Sequence, residues 1–277
     1  MNLDKFIDLA LEEDLGDGDH TSLACIPADA EGKAKLLVKD NGILAGVEVA
    51  RAVFTKVDPE LCFQVLIEDG TAVEFGNIAF YVSGSSQSIL KGERLALNLM
   101  QRMSGIATFT NTVANKLDGL KTKVLDTRKT TPNLRSFEKE AVKIGGGTNH
   151  RFGLYDMMMI KDNHIDYAGG IKEAIEAAVK YNKETGKFLK IEIEARDLKE
   201  VETILSVGQV DRIMLDNFNY EDMRTAVKII GDDYETEASG GINLDTVRLY
   251  AECGVDYVSM GALTHTVKNF DLSLKAV

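Results

Sequence analysis

The chain has 277 residues, 44% hydrophobic and 27% charged, with a formal net charge of -12 and a pI near 4.9. That length suits one large barrel or two domains around a substantial core. The acidic balance argues against nucleic acid, which needs a broad basic surface, and against an anionic membrane surface.

Met1 to Leu15 places acids and apolar residues at helical spacing, with no basic start before an apolar run, so no signal peptide is expected. Short alternating runs follow at Ala34–Val38, Gly42–Ala45, Cys62–Ile67 and Ile78–Ser83, with the turn dipeptides Asn41-Gly42 and Asp69-Gly70 among them. Helical pattern surrounds them at Phe6–Glu13, Val47–Lys56 and Lys91–Met103. This predicts an α+β domain over residues 1–107 with a mainly antiparallel sheet. Cys25, Cys62 and Cys253 are few and far apart with no CxxC pair, which predicts reduced thiols in a cytoplasmic protein. No run of roughly 18 apolar residues occurs, so no membrane span is expected.

Beyond residue 105 the pattern changes. Apolar strands are predicted at Lys123–Asp126, Met157–Ile160, Leu189–Glu194, Arg212–Leu215, Glu235–Ala238 and Tyr257–Met260. Amphipathic helices fall between them at Ile171–Tyr181, Leu198–Val207, Tyr220–Ile230 and Leu244–Glu252. Strand-then-helix repetition implies parallel strands with right-handed crossovers. Six strands are fewer than the eight of a full barrel, so the first expectation is an incomplete (β/α) barrel over 108–268, with a short tail over 269–277. A doubly wound open sheet is the second.

Charge is unevenly spread. Lys121 to Lys161 carries nine Lys/Arg against four acids, a local +5. Lys139 and Lys143 fall on the outer face of a predicted helix over Leu134–Ile144, which Gly145 would cap. Arg128, Lys129 and Lys161 lie at strand ends, where parallel α/β folds gather ligands and catalytic groups. Thr127, Arg128 and Lys129 follow the first strand. Lys161 follows the core strand ending Met-Met-Met-Ile, and His150 and Arg151 precede it. Guanidinium and ammonium groups held in one mouth suit carboxylates. Glu194 and Asp216 end the next two strands; they either bind Mg²⁺ beside substrate phosphates or pair with the lysines. Ser239-Gly240-Gly241 and Met260-Gly261-Ala262 follow the last two strands, where barrels often seat a phosphate. His20, His164 and His265 show no metal-ligand spacing.

These residues resemble the quinolinate phosphoribosyltransferases, also called carboxylating nicotinate-nucleotide pyrophosphorylases. The matching runs are DTRKTTP (Asp126–Pro132), GGGTNHR (Gly145–Arg151), IKDNHI (Ile160–Ile165), LDN (Leu215–Asn217), EASGG (Glu237–Gly241) and GVDYVSMGALT (Gly254–Thr264), preceded by ERLALN (Glu93–Asn98) and SGIAT (Ser104–Thr108). The resemblance implies transfer of a ribosyl 5-phosphate from phosphoribosyl pyrophosphate to quinolinate, with loss of CO₂ and pyrophosphate, giving nicotinate mononucleotide for NAD synthesis. It also implies an α/β sandwich domain beside an open barrel. Quinolinate contacts would fall on Arg94, Thr127, Arg128, Lys129, His150, Arg151 and Lys161. Phosphoribosyl contacts and Mg²⁺ association would fall on Lys129, Glu194 and Asp216, and the 5-phosphate cradle on Ser239, Gly240, Gly241, Met260, Gly261 and Ala262. Lys161, Glu194 and Asp216 would be the catalytic set. Arg94 would be donated across a homodimer interface. One departure is visible: Asn133 stands where the family commonly has Gly, and Asn tolerates a left-handed backbone well.

Four rivals remain, the simplest a non-catalytic metabolite sensor, which turnover separates from an enzyme. A class I aldolase would also use a strand-end lysine such as Lys161. A glycosidase would use the two carboxylates, although the chain has no Trp for stacking sugars. The molybdenum-transport-associated branch of the same superfamily would diverge in the dicarboxylate-binding residues, which this chain keeps.

Overall fold

The computed structural model describes residues 3–277, so Met1 and Asn2 of the first helical stretch lie outside the described residues. It divides into two units: Met1–Asn111 with Thr131–Gly146 and Thr266–Val277, and Thr112–Thr130 with Gly147–His265. No helix among the described residues is long and apolar enough to cross a membrane.

The first unit carries strands β1 (Glu31–Val38), β2 (Gly42–Ile43), β3 (Cys62–Val65), β4 (Ala72–Val73), β5 (Ile78–Ser85) and the last strand of the chain, β12 (Leu272–Ala276). The main sheet runs β12-β1-β5-β3 and every pairing in it is antiparallel. β12 lies in the stretch read from sequence as a tail. Its pattern explains its place: Leu272 and Leu274 are buried while Ser273 and Lys275 turn outward, so one face joins the core as an edge strand.

The helix Ser86–Lys116 is 31 residues long, well beyond the expected Lys91–Met103. Gly105 does not stop it, because its role is packing: a Cβ there would lie 2.4 Å from the Lys268 carbonyl. The SGIAT run is structural for the same reason. Ser104 Oγ accepts from Ala45 N–H at 2.9 Å and donates to Ala45 O, and Thr108 Oγ1 accepts from Ile43 N–H at 2.9 Å. One buried and one half-buried side chain thus satisfy these main-chain groups.

The helix Arg135–Ile144 corrects one expectation. Lys139 is 3% exposed, not on an outer face, because this helix buries Phe137, Glu138, Lys139, Ala141 and Val142. A helix covered on more than one side loses the single polar stripe that periodicity assumes. Lys143 is exposed and pairs with Glu140. Gly145 caps as expected, its N–H donating to Ala141 O, but Gly146 is the residue with positive φ, at 90°. Asn133 has φ 66°, so the departure from the family pattern falls on a left-handed position that Asn accepts.

The second unit holds β6 (Lys123–Leu125), β7 (Met158–Ile160), β8 (Ile191–Ala195), β9 (Arg212–Asp216), β10 (Glu235–Ser239) and β11 (Tyr257–Ser259). Their order is β6-β11-β10-β9-β8-β7, parallel throughout. From β7 to β11 each strand lies beside its sequence neighbour, and β6 pairs with β11. A doubly wound sheet would reverse direction at its middle; this order circles and leaves one gap, between β6 and β7. The architecture is therefore an incomplete barrel. Two helices are exact in extent, Leu198–Val207 and Tyr220–Ile230. Asp197 and Asn219 cap them by accepting main-chain N–H bonds. The helix Asp162–Ala168 is not legible from periodicity. It is seven residues long and buries only Ile165.

Candidate active site

The carboxyl ends of β6–β11 surround a cavity of about 320 Å³. Four cations line it from separate segments: Arg128 and Lys129 after β6, Arg151 before β7, and Lys161 after β7. Thr127, His150, Glu194 and Ser239 line it as well. The sequence expectations thus meet in one place at eight positions. Asp216 ends β9 next to Ser239 of β10, but it is not part of the cavity wall. Gly240, Gly241, Met260, Gly261 and Ala262 follow β10 and β11 outside that wall. Met260 is 1% exposed, its N–H donates to Leu125 O and its carbonyl accepts from Leu263 N–H. Arg94 belongs to the first unit, where it is exposed on the long helix.

The loop bearing Arg128 and Lys129 is tied at both ends. Thr127 Oγ1 accepts from Lys129 N–H at 3.0 Å, and Thr264 Oγ1 donates to Lys129 O at 2.8 Å. Asp126, fully buried, accepts from His150 N–H at 2.8 Å and from Asn149 Nδ2 at 2.6 Å. That carboxylate fastens GGGTNHR to the end of β6, which explains why the two runs act as one site. Burial and the Arg128 charge both hold Arg151 below its ordinary pKa. Two guanidinium groups kept this close repel until an anion sits between them.

Lys161 pairs with Glu194 across β7 and β8. Lys161 also heads the helix Asp162–Ala168, where its N–H donates to His164 Nδ1 at 2.9 Å. His164 is therefore a helix-capping acceptor. The Asn217 side chain donates to Asp216 Oδ2 at 2.7 Å, and Asn217 has φ 57°. Gly240 has φ 101°, and a Cβ there would lie 2.8 Å from Asn217 N, so this turn admits only glycine.

The cavity floor is the part that sequence reasoning missed. Met159, Met214, Glu237 and Ser259 line it. Below them lies a buried charge layer. His150 Nε2 is 2.9 Å from Glu192 Oε2 and 3.3 Å from Glu237 Oε2. Arg212 bridges Glu237 and Glu235, each at 3.0 Å, and its guanidinium stacks 4.2 Å from the Tyr257 ring. Burial, reinforced by the Glu237 charge, pushes Glu192 up to about 7. Burial works against a charged imidazole, yet the two carboxylates outweigh it and push His150 up to about 9. One contact limits that pull. Arg151 N–H donates to His150 Nδ1 at 2.7 Å, and an accepting nitrogen carries no proton. The ring proton is therefore on Nε2, toward the carboxylates. His150, expected as a donor to a ligand, has Nδ1 accepting from the main chain and Nε2 facing the Glu192 and Glu237 carboxylates.

Among the described residues, His150, Glu192 and Glu237 form the one cluster of three donors close enough for a metal. Arg212 already supplies positive charge there, which makes a second cation unfavourable. Glu194 and Asp216 offer hard oxygens at adjacent strand ends, which suits an ion that brings its other ligands with it.

A family model described as quinolinate phosphoribosyl transferase, N-terminal domain, matches residues 19–104, and the C-terminal domain model matches 106–275. Decarboxylating quinolinate phosphoribosyltransferase 1b of Nicotiana tabacum is 44% identical over 97% of this chain and 81% of its own length. A probable carboxylating nicotinate-nucleotide pyrophosphorylase of Bacillus subtilis is 39% identical over 99% of this chain and 93% of its own. The crystal structure of NadC from Streptococcus pyogenes superposes with a TM-score of 0.93 at 40% identity, covering 99% of this chain and 97% of that one.

Proposed function

The chain belongs to the quinolinate phosphoribosyltransferase family, and from that membership we propose the reaction its cavity performs. It transfers the 5-phosphoribosyl group of phosphoribosyl pyrophosphate to quinolinate. Nicotinate mononucleotide, CO₂ and pyrophosphate leave, in the service of NAD synthesis. One observation carries the reading: Arg128, Lys129, Arg151 and Lys161 line one cavity in a chain of net charge -12. Both substrates are polyanions, and concentrated cations in an acidic protein select for them.

Arg128 and Arg151 clamp the two carboxylates, because a guanidinium fork matches a carboxylate bidentately. The pyridine nitrogen attacks C1 of the ribose as pyrophosphate departs from the opposite side. The protein contributes position and fixed charge, and no nucleophilic residue is needed. Glu194 and Asp216 would hold Mg²⁺, which when bound neutralises the leaving pyrophosphate. Lys129 and the turns at Ser239–Gly241 and Met260–Ala262 receive the phosphoribosyl group. Once ribosylated, the cationic ring accepts the electron pair of the breaking C2–carboxylate bond, and Lys161 stabilises and protonates the resulting carbanion. The unit of function is a homodimer in which Arg94 of the partner subunit completes the quinolinate site. Three cysteines without disulfides, Cys25, Cys62 and Cys253, support a reducing compartment such as the cytoplasm.

Supplied with quinolinate, phosphoribosyl pyrophosphate and Mg²⁺, the protein releases CO₂ and nicotinate mononucleotide in equal amounts. Nicotinate offered in parallel is a poor substrate, since it lacks the second carboxylate; equal turnover of both would overturn the assignment. Arg128→Lys raises the quinolinate KM by about tenfold or more, the cost of one charged hydrogen bond lost with the fork. An unchanged KM would remove Arg128 from the clamp.

A further inference from the structure

The buried charge layer has no part in the reaction as described, and its composition requires explanation. Glu192 on β8, Arg212 on β9 and Glu237 on β10 put two carboxylates and a guanidinium inside the barrel, with the partly exposed Glu235 at the start of β10 also paired to Arg212. Apolar residues of like volume would hold a barrel interior as well or better, because desolvating such ions outweighs much of their attraction. The connections of the layer show what it holds. Arg212 Nη1 donates to Glu237 Oε2 at 3.0 Å, and that oxygen faces His150 Nε2 at 3.3 Å; Glu192 Oε2 lies nearer, at 2.9 Å, but burial pushes that carboxyl toward its neutral form, whereas Arg212 keeps Glu237 charged. His150 Nδ1 in turn accepts the Arg151 N–H at 2.7 Å. At its far end Arg151 Nη1 donates to Met157 O at 3.2 Å. The clamp arginine is thus held at its peptide by the imidazole and at its guanidinium by the carbonyl that precedes β7. The peptide contact exists only while the ring proton faces inward.

We infer that Glu237, held by Arg212, is a positioning residue for the quinolinate clamp: it orients His150, and His150 fixes the main chain that carries Arg151. The carboxylate keeps the ring proton on Nε2, which leaves Nδ1 as the acceptor. This role rests on the dicarboxylate-clamp reading of Arg151, so turnover of quinolinate by the unaltered protein is the control. Without that turnover the clamp reading fails; with it, the following measurements judge Glu237 alone.

The test is a double-mutant cycle of Glu237→Gln with His150→Asn. Asparagine keeps an acceptor near the Nδ1 position and lacks the Nε2 arm that meets Glu237. In the native background, Glu237→Gln raises the quinolinate KM by about tenfold, one charged hydrogen bond, and leaves the phosphoribosyl pyrophosphate KM within about twofold. In the His150→Asn background, the same change costs under about twofold, since residues acting through one another are not additive. Equal penalties in both backgrounds would overturn the inference, as would a matching rise in both substrates' KM values. If Glu237→Gln does not accumulate as folded protein, Glu237→Asp, which keeps the charge and withdraws the oxygens, takes its place with the same two outcomes.

Discussion

Lys161→Ala lowers kcat by about 10²–10³-fold, the size of effect seen when one preorganised stabilising group is removed. The quinolinate KM rises far less. Lys161 directly follows β7, at the carboxyl end of the strand. It is paired with Glu194, so the two charges hold each other at the rim of the cavity. Its work comes late, when CO₂ departs and negative charge gathers on the ring. A contact made mainly at that stage shows in kcat more than in KM. Truncation also leaves Glu194 without its counter-ion beside an incoming polyanion, which adds to the loss. Steady-state kinetics, with CO₂ and nicotinate mononucleotide measured separately, read the result. A loss under about tenfold would reassign proton delivery to another group. The same lysine separates this reading from a class I aldolase. Borohydride with substrate leaves no covalent adduct on the protein, whereas a Schiff-base enzyme would be trapped.

The mouth of the site was legible and its floor was not, and one periodicity explains both. Strand-end residues announce themselves because a polar or glycine position breaks an apolar run: Lys161 after Ile160, Asp216 after Leu215, Ser239 after Ala238. Successive side chains of a strand alternate faces, so the residue two places earlier shares the inward face. Counting back two from each rim position gives Met159 from Lys161, Glu192 from Glu194, Met214 from Asp216, Glu237 from Ser239 and Ser259 from Gly261. Four of these line the cavity, and Glu192 lies in the charge layer beneath it. The signal was present in Ile191-Glu192-Ile193-Glu194 and in Glu235-Thr236-Glu237. A charged residue within a strand, however, reads equally as solvated until the strand is known to face a barrel interior. Lys139 shows the reverse error. One helix taken alone has an outer face, and burial of Phe137, Glu138 and Lys139 together required knowing what surrounds it. Elements with no pattern of their own, such as Asp162–Ala168, were out of reach because a few residues supply no period.

Arg94→Ala and Lys161→Ala homodimers are each nearly inactive, and mixing them with subunit exchange restores activity. The reasoning joins two facts of placement. Arg94 is exposed on a helix of the first unit, and the cavity is lined wholly by residues of the second. An arginine that serves a clamp in a two-fold dimer, donated from one subunit to the other, gives every site a mixed parentage. In a hybrid dimer, one site then receives both altered residues and the other receives neither. Random reassortment of equal amounts yields half hybrids, so about a quarter of all sites are intact under two-fold pairing. Recovered activity near that fraction of the unaltered protein is the expected result, with the recovered sites showing the native quinolinate KM. If Arg94 instead served the cavity of its own chain, each hybrid would carry one defect per site and no activity would return. Labelled subunits distinguish that outcome from failed exchange, because hybrids are counted directly. Silence in a sample proven to contain hybrids would assign Arg94 to the cavity of its own chain and overturn the donation across the interface.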